Sequence, residues 1–493
     1  MQFAHCPINL SDILTNVLPY FAILDRGETT VTEPLHYMAL HQIATLLQRK
    51  ELSPVELCEH FLKRIDELEP KLNAFNLVTE ETALKSAKQA EKEILAGEYR
   101  GALHGIPLAV KDIFDMRGYP TTASMKIHRE SVASCDATVI KRLYDAGAVI
   151  LGKTNLTEGV YGEHLAPFGA PRNPWNENYW PGASSSGSGV AVAAGLCVAA
   201  LGSETGGSIR LPSAANGVVG IKPSWGRVSR HGVFELAATL DHIGPMARSA
   251  HDAGILLGAI AGKDSDDPTA SLIPVPDYVD VSGIDLSKLR IGVDRQWLSE
   301  TVDAETLRAF DEAVIQLAEL GCEQREVVIP DVSEMIWDWF PICAVQTALA
   351  HAETFPAQRD GYGPALASLI EMGIALSGTE YQQLILKRET FAGRFNALFE
   401  SVDVIAMPVL AFPSPSMARM ENLDDDLIAG IHQFTCPFNL SRHPSIVLQS
   451  GQTQDNMPIV FQLIGKYFDE KTLIAAGAAF QAKTRWHTRH PDM

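Results

Sequence analysis

The chain has no Cys-x-x-C pair, and its seven cysteines (Cys6, Cys58, Cys135, Cys197, Cys322, Cys343 and Cys436) are odd in number, so they cannot all be bridged within one molecule. Thiols scattered in this way exclude a disulfide scaffold and a redox dithiol, and fit reduced, mostly buried side chains. The 15 histidines include no His-Glu-x-x-His, so no metal centre is indicated and no cofactor is expected. Positive charge is scarce: 40 Lys and Arg stand against 60 Asp and Glu, a formal net charge of -20. A surface of that sign repels phosphate backbones and anionic headgroups, which excludes nucleic acid and membrane as partners. No run approaches the roughly 18 to 20 unbroken apolar residues of a membrane span, and the first residues lack the basic start of a signal peptide. The expected setting is the cytoplasm. Gly-x-Ser-x-Gly is also absent, which removes the nucleophile elbow of hydrolases that pair serine with a histidine base.

The sequence that is present alternates helix and strand patterns. An apolar fraction of 46% over 493 residues is enough for one large core. Residues 1–34 differ from the rest, with Asp12, Asp25 and Glu28 interrupting apolar pieces, and read as an extension of unassigned role on a core that begins near Leu35. Ser53-Pro54-Val55-Glu56 is a capping box with proline at the first helical position, and Leu57, Phe61, Leu62, Ile65 and Leu68 share one face, which predicts a helix ending at Pro70. Further helices are expected over 80–96, 138–146, 251–262, 303–320, 332–354, 379–400 and 470–483. Short apolar runs predict strands at 105–110, 148–151, 197–201, 218–221, 289–293, 326–329, 402–406 and 458–463. One α/β layer structure is the economical fold, with 263–285, rich in Asp and Pro, as a loop-rich junction.

Gly147-Ala-Val-Ile-Leu-Gly152-Lys153-Thr154 matches the letters of a phosphate-binding loop, but a helix precedes it and its middle is strand-like, so nucleotide binding is not expected. Two other clusters carry more weight. Residues 181–189 read Pro-Gly-Ala-Ser-Ser-Ser-Gly-Ser-Gly, and 202–210 read Gly-Ser-Glu-Thr-Gly-Gly-Ser-Ile-Arg. Such stretches bury little apolar area and lose much backbone entropy on folding, so they belong where main chain must approach a ligand closely. A base other than histidine is then needed, and Lys111 supplies a candidate at the end of a buried strand, Gly105-Ile-Pro-Leu-Ala-Val-Lys-Asp112. Burial disfavours the ammonium form and lowers the pKa of such a lysine from about 10.4 toward neutrality. The plain alternative is an ion pair with Asp112 at a strand end.

Together these pieces resemble the amidase signature family. Lys111 lies in its G-x-P-x-x-x-K-D element, 181–188 match P-G-G-S-S-[GS]-G-S, and 202–212 match G-[ST]-[DE]-T-G-G-S-I-R-x-P; 220–229, 241–248 and 458–472 also look like the family. The likeness spans roughly 35–485. It implies a single large fold over 35–493 with a mixed twisted central β-sheet covered by helices on both faces. A catalytic core would occupy about 101–260, a variable substrate region about 263–400, and the rest of the core about 401–485. Carried over, it makes Ser208 the nucleophile, Ser184 the bridging serine and Lys111 the base, with a cis peptide between Ala183 and Ser184. The backbone N–H groups of Thr205, Gly206, Gly207 and Ser208 would bind the oxyanion. Two departures stand out, Ala183 where glycine is usual and Glu204 where many relatives carry Asp.

Ser185, Ser186 and Ser188 read as hydrogen-bonding support and Arg210 as a structural ion-pair partner. Phe114, Tyr161, Trp337 and Trp339 could line an acyl pocket, or be plain core. The resemblance implies a stand-alone bacterial-type amidase hydrolysing a small amide, with a homodimer as an allowed assembly. Its rivals are the glutamine-hydrolysing A-type subunit of a tRNA-dependent amidotransferase, a carbamate or urea hydrolase, and a non-catalytic binding protein on the same scaffold. The amidotransferase component would be expected to place basic residues shortly before Gly373, and Ala-Ser-Leu-Ile-Glu-Met at 367–372 has none.

Overall fold

Short apolar runs become the strands of one sheet in the computed structural model, which describes residues 33–493. Most of the expected N-terminal extension, 1–32, lies outside the described residues, and His36–Met493 forms one compact unit. Among the described residues the strands are β1 (Phe75–Val78), β2 (Pro107–Lys111), β3 (Val149–Thr154), β4 (Ala199–Glu204), β5 (Val219–Lys222), β6 (His242–Ala247), β7 (Arg290–Val293), β8 (Glu323–Glu326), β9 (Val404–Pro408), β10 (Ser445–Gln452) and β11 (Pro458–Gly465). They form a single mixed sheet in the order β1-β3-β2-β4-β6-β5-β10-β11-β9-β7-β8, flanked by helices. β2 runs parallel to both β3 and β4, while β6 is antiparallel to β4 and β5. All five residues of β2 and all six of β4 are buried, as suits strands enclosed on both faces.

Some boundaries differ from expectation for identifiable reasons. The helix capped by Ser53 runs from Pro54 to Leu72, through Pro70, because a proline in the last turn removes only one N–H; it stops at Asn73, in the left-handed region at φ 52°. Glu69 then accepts from the N–H groups of Ala74 and Phe75 at 3.0 and 2.8 Å. The strand expected at 326–329 is Glu323–Glu326 instead. It ends the sheet, and an edge strand carries charged side chains without cost; of the apolar residues after it, Val327 and Ile329 are buried and Val328 is exposed. β6 has no apolar run to announce it, since it contains Gly244 and Pro245; a Cβ at Gly244 would stand 2.0 Å from the Ile221 carbonyl oxygen. β1, β10 and the helix Pro364–Ala375 are further elements beyond those expected.

The phosphate-loop look-alike is β3, with Lys153 fully buried inside it. Cys58, Cys135, Cys197, Cys322, Cys343 and Cys436 are free thiols, of which Cys135 is exposed. Among the described residues no helix is long and apolar enough to cross a membrane.

Candidate active site

The parallel pairing of β2 with β4 brings Lys111 beside the second Ser/Gly cluster, since Val110 lies level with Leu201. Lys111 Nζ is 2.7 Å from Ser184 Oγ and 2.9 Å from Ser203 Oγ, with no solvent exposure. Among the described residues no carboxylate contacts it. Asp112 instead faces away and pairs with Lys153 at 2.8 Å, so the alternative of a Lys111–Asp112 ion pair is excluded. Burial drives the Lys111 pKa well below its ordinary value, and the more distant charges of Asp241 and Glu204 offset this only in part.

Ser184 follows a cis peptide, Ala183–Ser184, at the bond where the resemblance implied one. Gly182 precedes it at φ 79°, where a Cβ would stand 2.3 Å from Pro212 Cα. The helix Ser186–Ala193 begins two residues after Ser184, and its serines take supporting roles. Ser185 Oγ donates to the Ser203 carbonyl at 3.0 Å and Ser188 Oγ to that of Leu201 at 3.0 Å. Ser186 Oγ meets His164 Nε2 at 2.7 Å. Burial, with Lys111 nearby, lowers the His164 pKa to about 4.

The loop after β4 shows why two glycines occur together. All four of its carbonyl groups are taken: Trp339 Nε1 donates to Thr205 O at 3.0 Å, Cys436 Sγ to Gly206 O at 3.2 Å, Leu211 N to Gly207 O at 2.7 Å, and Ser185 N to Ser208 O at 3.2 Å. The N–H groups of Thr205, Gly206, Gly207 and Ser208 donate to no other described residue. A Cβ at Gly206 would meet the Trp339 ring at 2.7 Å, and Gly207 sits at φ 143°. The main chain is therefore pinned by its oxygens and presents its donors as a group, the arrangement that receives a developing oxyanion. Ser208 is partly exposed beside these donors, and its Oγ bonds no described residue, a looseness common in sites without substrate.

Arg210 holds this loop from behind. Its Nε donates to Glu204 Oε1 at 2.7 Å, and its other nitrogens reach the carbonyls of Phe434 and Thr435 and the side chains of Asn439 and Gln462. Glu204 also accepts from the N–H groups of Ile209 and Arg210, both at 3.0 Å. The longer Glu at this departure from the usual Asp is thus fully engaged.

The four aromatic candidates separate. Trp339 packs on the loop, and Tyr161 lies close enough to Cys343 and Cys436 to feel them, with burial pushing its phenol up. Phe114 is fully buried and bridges to Val233. Trp337 is 41% exposed and stacks on Phe340.

Ser203, His164 and Cys436 were not singled out from the sequence. Ser203 had a signal: aligning the C-terminal ends of the expected strands 105–110 and 197–201 would have set it beside Lys111. Cys436 and His164 had none, because loops distant in sequence deliver them.

A comparison of the chain with protein families finds the Amidase model matching residues 56–474. The chain belongs to the Amidase family. It is 43% identical over 460 residues to the "Putative amidase AmiD" of Mycobacterium tuberculosis, covering 92% of this chain and 96% of that one. It is 36% identical over 486 residues to the A-type component of the glutamyl-tRNA(Gln) amidotransferase of Carboxydothermus hydrogenoformans, covering 93% and 100%. Among solved structures, a peptide amidase bound to the competitive inhibitor chymostatin superposes with a TM-score of 0.82 at 28% identity, covering 92% of this chain and 99% of that one. Membership of the Amidase family makes this protein an amide hydrolase by class.

Proposed function

We propose that the protein hydrolyses the C–N bond of a small carboxylic amide to acid plus ammonia or amine, through an acyl-enzyme on Ser208. The observation that carries this reading is Lys111 Nζ, buried with no carboxylate partner among the described residues and 2.7 Å from Ser184 Oγ. Neutral Lys111 takes the Ser184 hydroxyl proton while Ser184 takes that of Ser208, and the Ser208 oxygen bonds to the amide carbon. The carbonyl oxygen becomes an oxyanion held by the free N–H groups of 205–208. Run in reverse, the relay delivers the proton to the leaving nitrogen as the C–N bond breaks, and water then cleaves the ester.

Within this reading 101–260 supplies the chemistry, and 263–400 shapes the substrate pocket, with Trp339 and Tyr161 as its nearest aromatic walls. The free thiols suit a reducing cytoplasm, and a homodimer is the proposed assembly. The test is hydrolysis of a panel of aliphatic, aromatic and amino-acid amides, glutamine included. Activity on a simple amide should fall by about 10⁴-fold or more in Ser208→Ala, as for other serine nucleophiles; activity that survives the change would overturn the mechanism.

The amidotransferase reading stays second. The 36% identity along nearly the whole chain favours it, and the lack of a basic residue at 367–372 opposes it. Turnover of glutamine alone, with copurifying partner proteins, would reverse the order.

A further inference from the structure

Away from the Lys111 site, three metal-competent side chains converge at the other end of β6. His41 lies on the helix Leu40–Gln48, and His251 and Asp252 open the helix Ala250–Ile260. We propose that His41 Nδ1, His251 Nδ1 and Asp252 Oδ1 form a binding site for a late first-row divalent cation of the Zn²⁺ class.

The geometry fits. One donor atom of each residue lies within 4.8 Å of the others. Asp252 Oδ1 is 2.9 Å from His41 Nδ1 and 3.7 Å from His251 Nδ1. Tetrahedral bonds of about 2.0–2.1 Å hold ligand atoms about 3.3–3.4 Å apart, so the two spacings to Asp252 Oδ1 bracket the required one, and the two imidazoles approach to within 4.8 Å of each other.

The surroundings prepare the ligands. Asp252 Oδ2 accepts from the Leu40 N–H at 3.0 Å and Oδ1 from the His41 N–H at 3.3 Å, which aims the carboxylate. His251 Nδ1 is buried with no hydrogen-bond partner, and so is Nδ1 of His487, a third imidazole within the electrostatic reach of Asp252 and His41. His41 and His251 also line a cavity of about 730 Å³ shared with Gln48, Tyr99 and Asp277, which gives a hydrated ion a route in.

Catalysis is not involved. His251 and Asp252 follow the Ala247 end of β6, whereas Ser203 and Glu204 of the catalytic loop region pair with Ile243 and His242 at its start. The cation would instead clamp the helix Leu40–Gln48 to the helix Ala250–Ile260.

The test titrates the metal-stripped full chain with Zn²⁺ by calorimetry and with Co²⁺ by visible spectroscopy. The expected result is one site per chain, weakened at least tenfold in His251→Gln and in His41→Gln. Zn²⁺ should raise the Tm of the wild type but not of the variants, and the Co²⁺ bands should be those of nitrogen and oxygen ligands. Equal affinity in wild type and both variants, thiolate-to-cobalt absorption pointing to a cysteine such as Cys135, or no binding below millimolar Zn²⁺ would each overturn the proposal. If a variant fails to fold, the wild-type Co²⁺ spectrum decides.

Discussion

Lys111 and Lys153 stand on neighbouring parallel strands, equally buried, and do opposite things. Lys153 Nζ has the Asp112 carboxylate at 2.8 Å, the Pro120 carbonyl at 2.6 Å and Thr121 Oγ1 at 3.0 Å. Burial pulls its pKa down and Asp112 pulls it back. Lys111 has two serine hydroxyls. A carboxylate fixes the ammonium charge, whereas a hydroxyl can give as well as take a hydrogen bond and so satisfies the neutral amine equally well. Lys222 falls between the two: it donates to the carbonyl oxygens of His443 and Pro223, and burial lowers its pKa to about 7. Burial alone does not fix the charge of a lysine; the kind of oxygen facing it decides which form is satisfied.

That contrast can be broken most severely by Lys111→Ala. Turnover should fall by about 10³-fold or more, within the range of a lost general base, with no recovery at high pH and an unchanged circular dichroism spectrum. Lys153→Met should do the reverse, costing about 3–5 kcal/mol in urea denaturation because Asp112 is left buried and unpaired, and adding Asp112→Asn should restore part of it. If Lys153→Met kept its stability and lost turnover, the division of labour would be wrong.

A pH series sharpens the same point. The Lys111 pKa is depressed in the folded chain, so between that value and the ordinary 10.5 the unfolded chain binds the extra proton, and wild-type stability rises with pH. Lys111→Met lacks this slope. Its urea midpoint should exceed that of the wild type near pH 7, and the gap should close toward pH 10. The smallest effect is expected from Ser203→Ala, about tenfold in kcat and about 1 kcal/mol in stability for one lost hydrogen bond. Ser184→Ala should cost far more activity, separating the relay hydroxyl from the supporting one.

Much of this was readable from the chain because local composition encodes it. Apolar runs marked β2, β3 and β4, and the Ser/Gly clusters marked the segments 181–189 and 202–210, since nothing but close approach of main chain explains them. Where strands carry their own breakers, as with Gly244 and Pro245 in β6, or only charge, as in β8, pattern fails and neighbours decide. The site divides in the same way. Lys111, Ser184 and Ser208 sit in recognisable elements, but the pinning of Thr205 O by Trp339 and of Gly206 O by Cys436 joins residues 134 and 230 positions apart. No spacing rule reaches that far.

Arg210 carries a consequence for how the molecule comes into being. The turn that displays Ser208 is tied through this one guanidinium to Phe434, Thr435, Asn439 and Gln462, all more than 220 positions downstream. A nascent chain emerging from the ribosome therefore holds its lysine and both serines long before the turn has anything to lean on. On the proposed mechanism cutting power arrives late in synthesis, because an unfinished or C-terminally clipped copy lacks the contacts that hold the Ser208 turn.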